Sequence, residues 1–152
     1  MPLLSVSHQQ QKQQSDCLAA CASMVLDYLR IRVEYTRLLR LLRIGPIGAA
    51  FGNLTALETL GVSVLVDEGR SVDDITNHLL SGLPVVVFLD TAELVYWNYE
   101  HTDHATVVIG IENGQVILND PEFSNAPQYC SVGEFELAWM EKDNLFAVIS
   151  LA

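Results

Sequence analysis

At 152 residues, half of them hydrophobic, the chain is long enough to bury one substantial core and too apolar to be disordered. Its formal charge of −11 argues against nucleic acid or an anionic membrane surface as a partner. The longest apolar strand, residues 83–89, is far too short to span a bilayer, and residues 1–4 are too short for a secretory signal.

In chain order, residues 1–15 read as a polar leader crowded with Gln9, Gln10, Gln11, Gln13 and Gln14, a low-complexity stretch with no evident fold. A helix follows over about 17–30, with Asp16 as its N-cap and Cys21, Met24, Val25, Tyr28 and Leu29 on one face. Thr36 can cap a second helix through Arg43, stopped by Ile44-Gly45-Pro46. A third helix is expected over about 54–60, with Gly61 as a left-handed stop before strand 62–66. Ser71 to Asp74 reads as a capping box for a helix ending near Gly82. Beyond it the character becomes β: strands at 84–89, 104–111 and 115–119, with Asn113-Gly114 marking a hairpin. Ser131 and Glu134 cap a helix through Met140, and a last strand covers 145–151. A helical front half and an antiparallel sheet make one α+β domain over 1–152.

The three cysteines, Cys17, Cys21 and Cys130, form an odd, low count that suggests free thiols in a reducing, cytoplasmic setting. Cys17 opens the first helix, where unpaired N–H groups and the helix dipole favour thiolate over thiol. Six residues upstream, Gln11 offers a side-chain amide to an oxyanion. His104 begins one strand and Asp120 ends the next, just before Pro121. Nucleophile, then base, then carboxylate is the order of a papain-type thiol site. The bland alternatives are a buried Cys17, a core His104 and a turn-forming Asp120. Cys17 and Cys21 with His101 and His104 do not make a good zinc spacing, so no metal or cofactor is expected.

Hairpin register decides whether His104 and Asp120 can meet. A two-residue Asn113-Gly114 turn puts them on opposite sheet faces. A three-residue loop, Glu112-Asn113-Gly114, sets Asp120 opposite Thr106 and diagonal to His104. Catalysis therefore predicts the three-residue loop. Tyr96, Trp97 and Tyr99, just before His104, are candidates for the rim of a substrate cleft. The cluster Arg30, Arg32, Arg37, Arg40 and Arg43 reads as a solvated helical face or a local basic patch.

The segments Gln11-(four residues)-Asp16-Cys17, His104-Ala105-Thr106-Val107-Val108-Ile109-Gly110 and Leu118-Asn119-Asp120-Pro121 together resemble the bacteriocin-processing, double-glycine cysteine peptidases. That resemblance spans nearly the whole chain. It implies a papain-like fold in which a helical N-terminal lobe packs on an antiparallel sheet. Cys17 would be the nucleophile, His104 the base, Asp120 the orienting group and Gln11 the oxyanion donor. The implied activity is cleavage of a leader peptide after Gly-Gly or Gly-Ala, with a peptide-exporting ABC transporter as an associated partner. Leu18 stands where the family usually has glycine, which bears on substrate fit more than on chemistry. No transporter segments follow Ala152, so an excised domain or a stand-alone relative is expected. A non-catalytic leader-binding module, or a thiol amidase or acyltransferase of the same fold, is the alternative.

Overall fold

The computed structural model describes residues 3–152. Six antiparallel strands form one sheet: β1 (Val62–Asp67), β2 (Val85–Asp90), β3 (Asp103–Glu112), β4 (Gln115–Asn119), β5 (Gln128–Ser131) and β6 (Phe146–Leu151). Their order across the sheet is β1-β6-β2-β3-β4-β5. The central strands β2 and β3 are Val-rich and buried on both faces, which requires a helical layer on each side.

One layer holds α1 (Cys17–Tyr28), α2 (Tyr35–Leu41) and a long 3-10 helix, Phe51–Leu60. Leu18, Met24, Val25, Leu26, Leu38 and Leu54 from this layer pack on Ala105, Val107 and Ile109 of β3. The other layer holds α3 (Val72–Leu80) and α4 (Val132–Met140), whose Ile75, Leu79, Phe135 and Trp139 pack on Val87, Val108 and Phe146. The alternation of side chains along β3 thus feeds two separate cores. Both α3 and α4 begin with complete capping boxes, Ser71 with Asp74 and Ser131 with Glu134.

Several local expectations give way to tertiary structure. Residues 54–60 are not an α-helix but part of the 3-10 helix, closed by Gly61 at φ 88°. Glu34 rather than Thr36 occupies the N-cap of α2. Asp16 stands at the N-cap of α1 without capping it; its carboxylate accepts from the Tyr35 hydroxyl at 3.1 Å. Strand β5 was not expected, because four residues carry too little periodicity to read.

The glutamine-rich leader is not loose. Residues 4–11 run as a strap along β3, β4 and the loop after β4. Leu4 N–H donates to Ile109 O at 3.0 Å, and Gln11 N–H donates to Pro121 O at 2.8 Å. Between them, Asn119 donates its side-chain amide to Val6 O, and His8 Nε2 donates to Asp120 O, both at 2.8 Å. Backbone carbonyls in the loop and bulge are thereby satisfied by the strap.

The β3–β4 hairpin corrects the expected loop while keeping its register. Glu112 pairs Gln115 across a two-residue turn, with Asn113 at φ 53° and Gly114 at φ 75°. Both central residues at positive φ is the geometry Asn-Gly favours. A bulge then shifts the ladder between Val108 and Gly110, so that Val107 pairs Asn119. The extra residue, Ile109, gives its carbonyl to the strap. The bulge thus supplies the one-residue offset that the three-residue loop had been needed for.

Candidate active site

Continuing that register puts Asp120 opposite Thr106, diagonal to His104 and on its face of the sheet. His104 Nε2 donates to Asp120 Oδ1 at 2.7 Å, with both side chains buried. A carboxylate can only accept here, so Nε2 carries the proton and Nδ1 is left free to accept one. Cys17, at the start of α1, is near enough to His104 to help raise its pKa, and it is half-exposed where Cys21 and Cys130 are buried. The Cys17 N–H has no backbone acceptor among the described residues, as expected for the first turn of a helix.

Asp120 is fully buried and saturated with donors. Its Oδ1 also accepts from Glu122 N–H at 2.9 Å. Its Oδ2 accepts from the Tyr96 hydroxyl at 2.8 Å and from Trp97 Nε1 at 3.0 Å. Trp97 lies edge-on to the His104 ring, with centroids 5.0 Å apart, and Phe123 packs on both Trp97 and Tyr96. This aromatic cage rides on a short 3-10 turn, Val95–Trp97, whose first N–H donates to Glu134 of α4.

The polar ends of Tyr96 and Trp97 therefore point at the carboxylate, a role the sequence did not suggest for them. Tyr99 is 62% exposed and stands outside the cage. No local pattern marks Tyr96 and Trp97 as partners of Asp120, since the contact joins residues more than twenty positions apart.

The electrostatics follow from this packing. Burial disfavours the His104 cation, but the hydrogen bonds and charge of Asp120, together with Cys17, outweigh it and push the pKa up to about 10. Burial likewise disfavours the Asp120 anion, yet His104, Glu122 N–H and Trp97 hold its carboxyl below the usual range. Burial is also the main reason that the Cys21 thiol is raised and that Cys130 is pushed up to about 12. The Tyr96 phenol is raised by burial and then by the Asp120 charge.

Gln11 is placed less simply. Its Nε2 donates to the carbonyls of Gln13 and Gln14, both at 3.0 Å. Its Oε1 is buried without a partner. The amide is thus spent on its own turn, just before the start of α1 in the chain.

Asp90, His101 and Asp103 hold three metal-capable atoms within 4.8 Å of one another. Lys142 Nζ already sits 2.6 Å from Asp103, so a cation of the protein occupies that corner.

The peptidase C39-like family matches residues 3–145. This chain belongs to that family. Among solved structures, a Bacillus anthracis protein assigned as a C39-like peptidase superposes with TM-score 0.82 at 17% identity, covering 100% of this chain and 98% of the other. A double-glycine-motif protease from an AMS/PCAT transporter, in complex with its leader peptide, gives TM-score 0.75 at 16% identity, covering 99% and 94%. The peptidase domain of Streptococcus ComA, a bifunctional ABC transporter of a quorum-sensing pathway, gives 0.75 at 19%, covering 97% and 99%. No curated protein matches the sequence. At these identities the likeness establishes the papain-like C39 fold of this chain. Among the described residues no helix is long and apolar enough to cross a membrane.

Proposed function

We propose that this C39-like chain is a cysteine peptidase in which Cys17, His104 and Asp120 act as one unit. The observation that carries the reading is His104, buried with its Nε2 on the saturated Asp120 carboxylate and with Cys17 near enough to help raise its pKa. His104 Nδ1 takes the thiol proton, and the Asp120 carboxylate stabilises the imidazolium that results. The sulfur attacks the scissile carbonyl, forming the C–S bond as the carbonyl electrons move to oxygen. The Cys17 N–H and the Gln11 amide, once rotated off its own turn, donate to that oxyanion. His104 returns its proton to the leaving amine as the C–N bond breaks. Water, deprotonated by His104, then hydrolyses the thioester and regenerates the thiol.

The proposed substrate is a peptide with a Gly-Gly or Gly-Ala pair at the cleavage point, presented as a leader, with a peptide-exporting transporter as the natural partner. The family resemblance and the leader-bound structural neighbour support this choice. It is tested by incubating the protein with a synthetic peptide carrying an internal Gly-Gly and mapping products by mass. Cleavage after the pair by the wild type, and none by Cys17→Ala, supports the reading. Binding without cleavage by the wild type would sink it and favour a leader-binding module.

A further inference from the structure

The positive charge of this acidic chain is gathered in one place. Five of its eight Lys and Arg are Arg30, Arg32, Arg37, Arg40 and Arg43, and Glu34 is the one acid within residues 30–43. All five guanidinium groups belong to exposed residues, and none makes an ion pair among the described residues. Arg37 and Arg40 lie three apart on α2, so they face solvent as neighbours, a like-charge spacing that disfavours the helix itself.

Two concavities follow the same helix. One, of about 330 Å³, has Ser15, Asp16, Leu39 and Ile44 among its walls and so begins at the residue before Cys17. The other, of about 550 Å³, lies between α2 and the 3-10 helix, with Arg40 and Arg43 on one wall and Asn53, Thr55 and Glu58 on the other. Adjacent residues, Leu39 and Arg40, separate the two. The Glu58 carboxylate accepts from Val64 N–H at 3.3 Å and leaves both guanidiniums without an acid.

We propose that the second groove is a specificity subsite for acidic side chains of the peptide substrate, read by Arg40 and Arg43 while the scissile bond lies at Cys17. The inference rests on the peptidase reading and extends it to a substrate class. Carboxylates match the guanidinium fork in geometry and charge. The groove favours a peptide over an anionic bilayer, because 18 of the 19 acidic residues lie outside this segment and would repel a broad negative surface.

The test measures binding of two fluorescein-labelled synthetic peptides to the Cys17→Ala protein by anisotropy, away from any cleavage. Both contain the Gly-Gly pair; one carries three Glu residues on its N-terminal side and the other carries Gln in their place. The Glu peptide is expected to bind about tenfold tighter at low salt, with the gap closing as salt rises. Arg40→Gln/Arg43→Gln should remove the preference while leaving the melting temperature unchanged, and Arg40→Glu/Arg43→Glu should reverse it. Equal binding of the two peptides, an undiminished preference in the double variants, or binding to phosphatidylserine vesicles in place of the peptide would overturn the subsite. The two readings fail separately. A preference for the Glu peptide without any wild-type cleavage removes the peptidase but keeps the subsite. Equal wild-type cleavage of both peptides removes the subsite alone.

Discussion

The two halves of the site are built to different standards. Around Asp120, four donors converge on one buried carboxylate, an aromatic cage closes over it, and the strap holds its backbone from behind. Around Gln11, the amide is spent on two nearby carbonyls and its oxygen is orphaned. On the proposed mechanism, the contrast means that the base is organised in advance, whereas the oxyanion donors have to be completed when substrate arrives. A buried carboxylate has to be satisfied before the fold is stable, while a half-exposed amide can wait.

The largest expected effect comes from removing the proposed nucleophile. Cys17→Ala should reduce peptide cleavage by on the order of 10⁴-fold or more, with the melting temperature nearly unchanged, as read by product formation and circular dichroism. A residual rate within tenfold of the wild type would move the chemistry elsewhere.

Asp120→Asn follows, and the structure makes it more severe than a simple amide swap would be. The new NH₂ must face either the His104 and Glu122 donors or the Tyr96 and Trp97 donors, and the indole N–H cannot turn to accept. Turnover should fall by about 10²- to 10⁴-fold, and stability by about 1–3 kcal/mol. A milder loss in both would show that the carboxylate is not held as tightly as its four hydrogen bonds imply.

Gln11→Ala probes the looser half. It should lower kcat by about 10²-fold while KM stays nearly constant, because its donor acts only once the oxyanion forms. An unchanged kcat would reduce Gln11 to a brace for its own turn. Tyr96→Phe and Trp97→Phe each remove one donor to Asp120 Oδ2. Each should cost about tenfold in kcat and shift the acid limb of the rate profile to higher pH, since the carboxylate loses a hydrogen bond.

The smallest effect is on stability against pH. His104 has a raised folded pKa, so its contribution is fully present below the unfolded value of 6.5 and is lost as pH rises through about 10. Asp120 has a lowered pKa, so its contribution is present above its unfolded value and is lost as pH falls through the depressed one. A melting temperature that is highest below pH 6.5 and declines toward about pH 10 in the wild type, with a lower acid-side value and a flatter alkaline side in His104→Gln, is the expected result.

Much of this arrangement could be read from local signals. Both complete capping boxes, the place of the hairpin at Asn113-Gly114 and the strands that carry His104 and Asp120 are written in short patterns, though the length of the turn is not. What could not be read depends on contacts between distant residues. The bulge at Ile109 answers to the strap from Leu4, a partnership of segments a hundred residues apart. The polar leader finds its order only because the β4 loop offers it carbonyls. That Tyr96 and Trp97 donate to Asp120 has no local signal either, since the partners lie more than twenty positions apart.

The central claim, that Cys17 and His104 work as a pair, is tested most directly by iodoacetamide labelling at pH 6, with each cysteine quantified by peptide mass. Cys17 should be alkylated first, and Cys21 and Cys130, raised by burial, should lag far behind. His104→Ala should slow Cys17 at that pH by about tenfold or more. Three cysteines labelling alike, or a Cys17 rate indifferent to His104, would contradict the account.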